Sequence, residues 1–563
     1  MINYKFLLKL TRLFLFVIYL IFFSTLQAKN FYKSENISNY FSGILLLDQS
    51  QYADAYKYLK NLDGLEKNHK NFSSKYIYTL VNSDNFAQAF NFSKKLQKSK
   101  IESFESNIVI GVYYFKKSKF DISQKYFLKA MNDNSRSLLD KYVANSLYLW
   151  SKFDTINFEE AKLSLNDLDN RFDNLKKIQK VFLNCFFNNT RTPQSFKDLV
   201  GNDKIDFSRY NYFFANYLNS VGKSKMAHDI LEDSIKKYPR NLLINQYQLD
   251  LKKKNSYINF NCKKRTHIAA EIIYISANAL SSQSIFSLSN FYLNLAKFLN
   301  EDFYAFDTLL AENFYEIQDF KNAKKIYKRL TNFGEAFSWY ANKQLAKILI
   351  KEKKDKKSFQ LLREAFNNLN NKDLYKIFDY AEFLKNNEEF NESIEYYTDI
   401  LQQINKEHPL YPEVTDGRGV AYERIGEWEK AEKDLLSSLD SSPDQAYVIN
   451  YLAYSWIEQG VKIEKSLDML EKANKLKSND PFIIDSLGWA LFKLERYEES
   501  KVYLQIAVRL MPADPIVNDH YGDVLWKNGN KIQARYHWEY VLKLDEAEKD
   551  LKTKIEKKLL TGL

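Results

Sequence analysis

Six histidines and two cysteines are the residues of this sequence whose side chains most often bind metals or act as nucleophiles. No histidine pair has the spacing of an HExxH zinc motif, and there is no GxSxG nucleophile motif, no phosphate-binding P-loop and no GxGxxG dinucleotide motif. The histidines are His69, His228, His267, His408, His520 and His537. The sequence therefore predicts a protein that is not an enzyme and that uses no metal or cofactor.

The two cysteines are compatible with either a disulfide or two free thiols. Cys185 lies in an apolar helical pattern, and Cys262 lies in a polar connector 77 residues later. A disulfide is chemically possible in an exported protein. In a repeat solenoid, however, each repeat mostly contacts its neighbours, so two unpaired thiols are expected.

The N-terminus has the order of a secretory signal peptide. Lys5, Lys9 and Arg12 precede an apolar run over residues 13–23, and the small residue Ala28 follows. Because a transmembrane helix needs about 20 apolar residues, this run predicts a cleaved signal and an exported protein. The alternative is an uncleaved signal that anchors the chain in the inner membrane.

The overall composition favours a helical protein without a nucleic-acid partner. Glycine (14 residues) and proline (8 residues) are few, which suits helices joined by short turns. The net charge is +11, but the 82 basic and 71 acidic residues are interspersed along the chain. Interspersed charges of both signs indicate a solvated surface, so membrane contact is expected only through an uncleaved signal or a partner.

Four segments in the last third of the chain repeat one pattern at intervals of 34, 35 and 34 residues. Each begins with a small residue, where two helices can cross closely, and a large apolar residue follows three positions later on the same helix face. A turn and a second small residue then begin a second apolar helix. The first small residues are Gly419, Ala453, Gly488 and Gly522, and the second ones are Ala431, Ser466, Ser500 and Ala534.

The same pattern recurs near the N-terminus, where Gly43, Ile77 and Gly111 are also 34 residues apart. The period and the columns of small, aromatic and proline residues resemble the tetratricopeptide-repeat (TPR) family. The resemblance implies an all-α fold, a right-handed α-solenoid of about eleven or twelve helix-turn-helix repeats. Residues 168–206 and 242–300 are helical in pattern but do not show the repeat phase.

These patterns predict five parts of the chain. The parts are a signal peptide (residues 1–28), an N-terminal TPR array (29–260), a middle TPR-like helical array (261–407), a regular C-terminal TPR array (408–545) and a C-terminal capping helix (546–563). The boundary at residue 408 rests on the prolines, because six of the eight follow it. A polar-faced final helix would protect the last apolar face of the array.

The TPR resemblance assigns the partner-binding face to the first helix of each repeat, which lines the concave side of such arrays. The residues predicted to bind a partner there are Asp416, Asn450, Tyr454, Asp485, Trp489, Phe492, Asp519, Asp523 and Trp526. They lack the Lys and Asn clamp with which some TPR co-chaperones bind a terminal carboxylate. An acidic, aromatic face suits extended segments with Lys, Arg and apolar side chains. Alternatively, the aspartates only solvate the face and the aromatic rings are packing.

Residues 410–545 resemble a narrower group of long exported proteobacterial TPR proteins, through segments such as Asp485-SLGWALFKLERY and Asn518-DHYGDVLWKNG. Some relatives are adaptors that present cell-wall hydrolases to a periplasmic protease. The resemblance thus implies a non-catalytic periplasmic scaffold with a protein partner, such as a periplasmic protease or a cell-wall hydrolase. The alternative is a cell-envelope assembly factor that handles polysaccharide or outer-membrane cargo.

Overall fold

The computed structural model describes residues 34–62, 64–67, 69–133, 135–202, 204–253 and 259–563. These residues form α-helices, two short 3-10 helices (Leu65–Lys67 and Asn170–Phe172) and turns, and they contain no β-strand. The predicted signal peptide lies outside the described residues. The chain divides into two compact units, unit 1 up to Leu369 and unit 2 from Asn370 onward.

Unit 1 contains nineteen α-helices within its described residues. They are α1 (Ser34–Asp48), α2 (Tyr52–Leu59), α3 (Lys70–Asn82), α4 (Phe86–Lys98), α5 (Phe104–Lys116), α6 (Phe120–Met131), α7 (Leu138–Lys152), α8 (Phe158–Asn166), α9 (Asp173–Phe186), α10 (Thr192–Val200), α11 (Arg209–Ser220), α12 (Ser224–Lys237), α13 (Leu242–Lys252), α14 (Arg265–Ser281), α15 (Phe286–Leu299), α16 (Ala305–Glu316), α17 (Phe320–Leu330), α18 (Glu335–Lys351) and α19 (Asp355–Asn367).

Unit 2, which is described throughout, contains eleven α-helices. They are α20 (Leu374–Lys385), α21 (Phe390–Leu401), α22 (Tyr411–Arg424), α23 (Trp428–Ser441), α24 (Ala446–Glu458), α25 (Ile463–Leu476), α26 (Pro481–Lys493), α27 (Tyr497–Leu510), α28 (Pro515–Lys527), α29 (Lys531–Lys543) and α30 (Lys549–Thr561).

Except for α13 and α30, these helices form fourteen consecutive pairs, each with a first and a second helix. In thirteen pairs of the described chain, a residue of the turn between the two helices has a positive φ, the left-handed conformation that ends a helix. Glu495 adopts it with a φ of +58°, although glycine is the usual residue there. The count exceeds the expected eleven or twelve because the poorly phased stretches also contain helix pairs.

The small residues of the repeat pattern lie where the two helices of a pair touch. A Cβ atom added at Gly488 would lie 2.7 Å from Cγ of Leu504, and one at Gly522 would lie 2.4 Å from Nε1 of Trp538. Leu504 and Trp538 are fully buried. A larger residue at either glycine would therefore force the helices apart, which explains the spacing of this column.

The division into units does not coincide with the expected boundaries at residues 260 and 407. The segment 408–412 lies inside unit 2, where it spans the end of the turn after α21 and the first two residues of α22. These two helices pack against each other directly, and Leu410 of the turn and Val414 of α22 lie in one apolar cluster with Tyr397. The prolines there mark a helix start and not the edge of a unit.

Unit 1 contains long-range packing that a simple array lacks. Helix α15 packs against α3 and α5, and α14 packs against α7 and α9, although these helices are far apart in the sequence. The rings of Tyr78 and Phe291 stack with centroids 4.5 Å apart, and Tyr292 donates a hydrogen bond to Asp140. Because α3, α5, α7 and α9 are first helices of their pairs, unit 1 covers this face with its own later helices.

Cys185 and Cys262 form a disulfide, with Cα atoms 6.0 Å apart, so the expectation of two unpaired thiols is wrong. That expectation assumed contacts only between neighbouring repeats. The return of α14 onto α9 brings the start of α14 beside the end of α9 instead. Nearby, Arg265 pairs with Asp154 at 2.8 Å and lies over the Phe120 ring.

A buried ion pair also joins α14 to α11. The guanidinium of Arg209, on α11, donates to both carboxylate oxygens of Glu271 at 2.7 and 2.9 Å. Glu271 is fully buried, and the Tyr274 ring lies 4.0 Å from the guanidinium carbon. Such a pair resists disruption, because loss of one partner leaves the other charge buried without compensation.

Candidate functional site

The first helices of unit 2 are α20, α22, α24, α26 and α28, and the side that carries the predicted partner-binding residues is named the first-helix face. In unit 2, extensive packing is confined to helices one or two places apart in the sequence. No other helix of unit 2 covers this face as α14 and α15 cover that of unit 1, and within unit 2 only α30 lies against its last part. The nine predicted residues all lie on α22, α24, α26 and α28.

Asp485 is paired within the unit with His520, one repeat later. The Nδ1 atom of His520 lies 3.0 Å from a carboxylate oxygen of Asp485, and both side chains are buried. Burial lowers the pKa of His520, but Asp485 and the neighbouring carboxylates raise it more, so the net shift is upward. The Trp489 ring stacks on the imidazole with centroids 3.9 Å apart.

Asp519 and Asp523 are paired with Lys558 of α30. The ammonium group lies 2.5 Å from a carboxylate oxygen of Asp519 and 2.8 Å from one of Asp523. Asp523 also accepts a hydrogen bond from the Trp538 indole at 3.0 Å. Burial, followed by the charge of Asp519, raises the pKa of Asp523 to about 6, and Lys558 opposes this shift.

Most of the predicted aromatic residues are in contact with the same paired region. Trp489 donates a hydrogen bond to Glu458 at 2.7 Å and stacks on Phe492 with centroids 4.7 Å apart. Trp526 packs at 5.3 Å from the Trp538 ring. Tyr454 and Phe492 are half-buried. The part of the face on α26 and α28 is therefore a closed network of rings and ion pairs.

The part of the face on α22 and α24 differs, because the side-chain oxygen atoms of Asp416 and Asn450 have no hydrogen-bond donor within the unit. Asp416 makes no ion pair or hydrogen bond, and burial raises its pKa to about 6 while Lys385 acts in the opposite direction. The Oδ1 atom of Asn450 is buried and has no hydrogen-bond partner. Tyr454 lies one turn after Asn450 on the same helix. These acceptors and the adjoining ring form an open site on unit 2.

Sequence reasoning missed the basic partners His520 and Lys558. In both ion pairs the basic residue follows a carboxylate by 35 residues, as from Asp485 to His520 and from Asp523 to Lys558. This interval is one repeat, so a search for opposite charges at the repeat period would have found both. The half-buried acceptor Glu382, which takes a hydrogen bond from Tyr397 beside Asp416, was also missed.

Comparison with known proteins identifies the repeats. A tetratricopeptide-repeat family model matches residues 294–546. A TPR repeat-containing protein of Pseudomonas aeruginosa is 27% identical over 143 residues, which are 25% of this chain and 23% of that protein. The chain therefore matches less than a quarter of that relative's length.

Solved structures with similar helices include the proteins MamA and YrrB, each matched over about a third of this chain. MamA from Desulfovibrio magneticus is 18% identical, with a TM-score of 0.27, over 32% of this chain and 98% of its own. YrrB, described as a TPR protein with an unusual peptide-binding site, is 14% identical, with a TM-score of 0.27, over 33% of this chain and 92% of its own. The family match and the paired helices together show that residues 294–546 consist of tetratricopeptide repeats.

Proposed function

We propose that this protein is a non-catalytic, exported scaffold that binds a segment of a partner protein on the first-helix face of unit 2, at Asp416, Asn450 and Tyr454. Tetratricopeptide repeats mediate protein–protein interaction, and repeat folds of this kind are typically scaffolds without catalytic chemistry. The observation that carries the proposal is the open site: the face that unit 1 covers with α14 and α15 is uncovered on α22 and α24.

The atoms of the open site favour a ligand that donates hydrogen bonds. The Oδ1 atom of Asn450 is a buried acceptor without a donor, which is costly unless a ligand or water supplies one. The carboxylate of Asp416 is likewise unpaired, and its raised pKa reflects that cost. Backbone N–H groups of an extended segment and a Lys or Arg side chain supply such donors, and Tyr454 offers a ring for an apolar or cationic side chain.

The proposed export rests on the N-terminal sequence and on the disulfide. The proposed adaptor role rests on the resemblance of residues 410–545 to exported TPR adaptors. The order of residues 1–28 is that of a secretory signal. The disulfide between Cys185 and Cys262 supports an oxidising compartment, because such bonds persist in exported proteins and are rare in the cytosol. We therefore place the protein in the periplasm, with a periplasmic protease or a cell-wall hydrolase as the expected partner. No helix of the described residues is long and apolar enough to cross a membrane.

A pull-down with matched variants tests this function. The chain from Lys29 onward is used as bait in a periplasmic extract, beside the variant Asp416→Asn with Asn450→Ala. The control is Asp468→Asn with Asn474→Ala, which makes the same changes on the second helix α25. We expect one or more proteins to be enriched with the parent and the control but reduced at least tenfold with the first variant. Equal enrichment with all three baits would refute the open site.

A competition experiment on the captured partner distinguishes a protein-binding site from a glycan-binding site. Addition of a Lys-rich extended peptide should release the captured partner, because the site supplies acceptors only. Release by purified cell-wall glycan, with no effect of the peptide, would contradict a protein-binding site.

A further inference from the structure

The two units carry opposite net charges, which the value of +11 for the whole chain conceals. Residues 1–369 contain 56 basic and 35 acidic residues, whereas residues 370–563 contain 26 basic and 36 acidic residues. The net charges are therefore +21 and −10. The excess of lysine is a property of unit 1 and does not reflect the composition of the chain as a whole.

The positive charge of unit 1 is concentrated at its last three helices. Residues 321–357 contain twelve basic and three acidic residues. The lysines that lie at the start of α17 and around the turn between α18 and α19 are named the lysine edge. They are Lys321, Lys324, Lys325, Lys347, Lys351, Lys353, Lys354, Lys356 and Lys357.

The contacts of Glu352 show that the lysine edge is one patch. Lys324, on α17, and Lys354, in the turn before α19, both contact this carboxylate, the latter at 2.7 Å. The start of α17 therefore lies beside the turn between α18 and α19. The hydrogen bond from Lys324 and then that from Lys354 lower the pKa of Glu352, so this acid stays ionised and is already paired.

Most of the lysine edge is exposed and has no acidic partner in the described structure. Lys321, Lys325, Lys351, Lys353 and Lys357 are all exposed, and none of them forms an ion pair there. Holding nine lysines together with only Glu352 and Asp355 among them is unfavourable in the free protein. An anionic partner would relieve this repulsion.

The side chains around the lysine edge decide which anion it fits. The edge contains no arginine, so it lacks the planar fork that binds single phosphates bidentately. The aromatic residues Tyr327, Phe337 and Trp339 are buried, and Phe320 and Phe359 are half-buried, so no fully exposed ring is offered beside the edge for base stacking. The apolar side of α17 is also buried, at Ala323 and Ile326, so no helix face is free to enter a bilayer. What remains is attraction by many mobile ammonium groups to a surface rich in phosphate.

We propose that the lysine edge binds an anionic phospholipid surface by electrostatic attraction alone. The patch lies at a turn between helices, where several lysine side chains can reach one flat surface together. Clusters of four to eight basic residues attract anionic membranes in this way, and the attraction declines within one screening length of the surface. This role belongs to unit 1 and is independent of the open site proposed for unit 2.

Co-sedimentation with vesicles tests the proposal. The chain from Lys29 onward is mixed with vesicles of phosphatidylcholine alone or with about a third of phosphatidylglycerol, a fraction at which polybasic segments bind. We expect binding only to the anionic vesicles, and a loss of about tenfold or more when the salt is raised from 50 to 300 mM, because screening weakens such contacts. Equal binding to both vesicles would overturn the proposal.

Substitutions of lysines test whether vesicle binding depends on the lysine edge. The substitutions Lys351→Gln, Lys353→Gln, Lys356→Gln and Lys357→Gln should weaken vesicle binding at least tenfold. The control is Lys98→Gln, Lys100→Gln, Lys223→Gln and Lys225→Gln, which removes four exposed charges elsewhere in unit 1. An equal loss with both variants would show that total charge, and not this patch, is responsible. Tighter binding to a DNA duplex than to the anionic vesicles would also overturn the proposal.

Discussion

Unit 1 and unit 2 are built from the same helix pair, but they treat the first-helix face in opposite ways. In unit 1, α14 and α15 return to cover the first helices α3, α5, α7 and α9, and a disulfide and buried ion pairs hold them there. In unit 2, packing is confined to near neighbours, and the face stays uncovered on α22 and α24. One repeat fold therefore yields either a covered first-helix face or an open one, according to whether the unit supplies its own covering helices.

The two units also differ in where the partners of their buried polar groups come from. The covering helices of unit 1 bring partners for its buried polar groups, as Tyr292 of α15 does for Asp140 of α7. In unit 2 the basic partner comes from the next repeat, as His520 does for Asp485, and Lys558 of α30 ends the series. Asp416 and Asn450, at the other end, have no such partner. The unpaired end is where an external donor is needed.

The largest effect is expected from breaking the buried pair that fixes α14. The substitution Arg209→Ala leaves the Glu271 carboxylate buried without compensation, which should lower the stability of unit 1 by about 3–5 kcal/mol. Hydrogen exchange during urea unfolding, read separately for the two units, measures this. The exposed Arg191→Ala serves as a control and should change stability by less than about 0.5 kcal/mol. Similar effects of the two substitutions would contradict a closed unit 1.

Loss of the disulfide should have the next largest effect. The variant Cys185→Ser with Cys262→Ser opens a loop of 77 residues and should destabilise unit 1 by about 2–4 kcal/mol. Addition of a reductant to the parent protein should reproduce the loss and should leave the double variant unchanged. If the reductant altered the exchange of unit 2 instead, the assignment of this bond to the closure of unit 1 would be wrong.

Removal of Lys558 should loosen the end of unit 2. The substitution Lys558→Met leaves Asp519 and Asp523 without their ammonium partner, at an expected cost of about 1–3 kcal/mol. The neighbouring substitution Lys557→Met, at an exposed position of the same helix, is the matched control. Hydrogen exchange should show faster opening of α30 only in the first variant. Unchanged exchange of α30 would mean that these contacts do not hold the helix.

Neutralising Asp416 should raise the stability of unit 2 and not lower it, because this carboxylate has no partner in the chain to lose. Its folded pKa is raised to about 6, so the folded state disfavours the charged carboxylate, and stability falls as the pH rises from about 4 to about 6. The variant Asp416→Asn should therefore be more stable than the parent above pH 6, by about 1–2 kcal/mol, and no more stable below pH 4. Thermal unfolding across this pH range measures the difference. A destabilised variant at pH 7.5 would mean that Asp416 has a partner within the chain.

Much of the fold of unit 2 follows from the sequence, because its repeats are regular. The small residues Gly488 and Gly522 predict the close helix crossings that Leu504 and Trp538 make in the structure. The turn column predicts where each first helix ends, even where Glu495 replaces glycine. These features depend on residues within one repeat, and local patterns carry them.

The packing of α14 and α15 against the earlier first helices of unit 1 could not be predicted from local sequence patterns. The contacts of Tyr78 with Phe291 and of Cys185 with Cys262 join residues that no local pattern relates. The expectation that each repeat contacts only its neighbours even predicted two free thiols in place of the disulfide. In the candidate site, the column positions were predictable, but the pairing of Asp485 was not, because it depends on a histidine that lies one repeat further on.

Crosslinking from both first-helix faces tests the central contrast most directly. A photoreactive residue replaces the exposed Tyr447 in unit 2, about one turn before Asn450 on α24, or Tyr78 in unit 1, in the cells that make the protein. We expect position 447 to capture a partner, with capture reduced by Asp416→Asn, and position 78 to crosslink only within the chain, because Phe291 covers it. Capture of the same partner from position 78, or no capture sensitive to Asp416 from position 447, would contradict a covered face in unit 1 and an open one in unit 2.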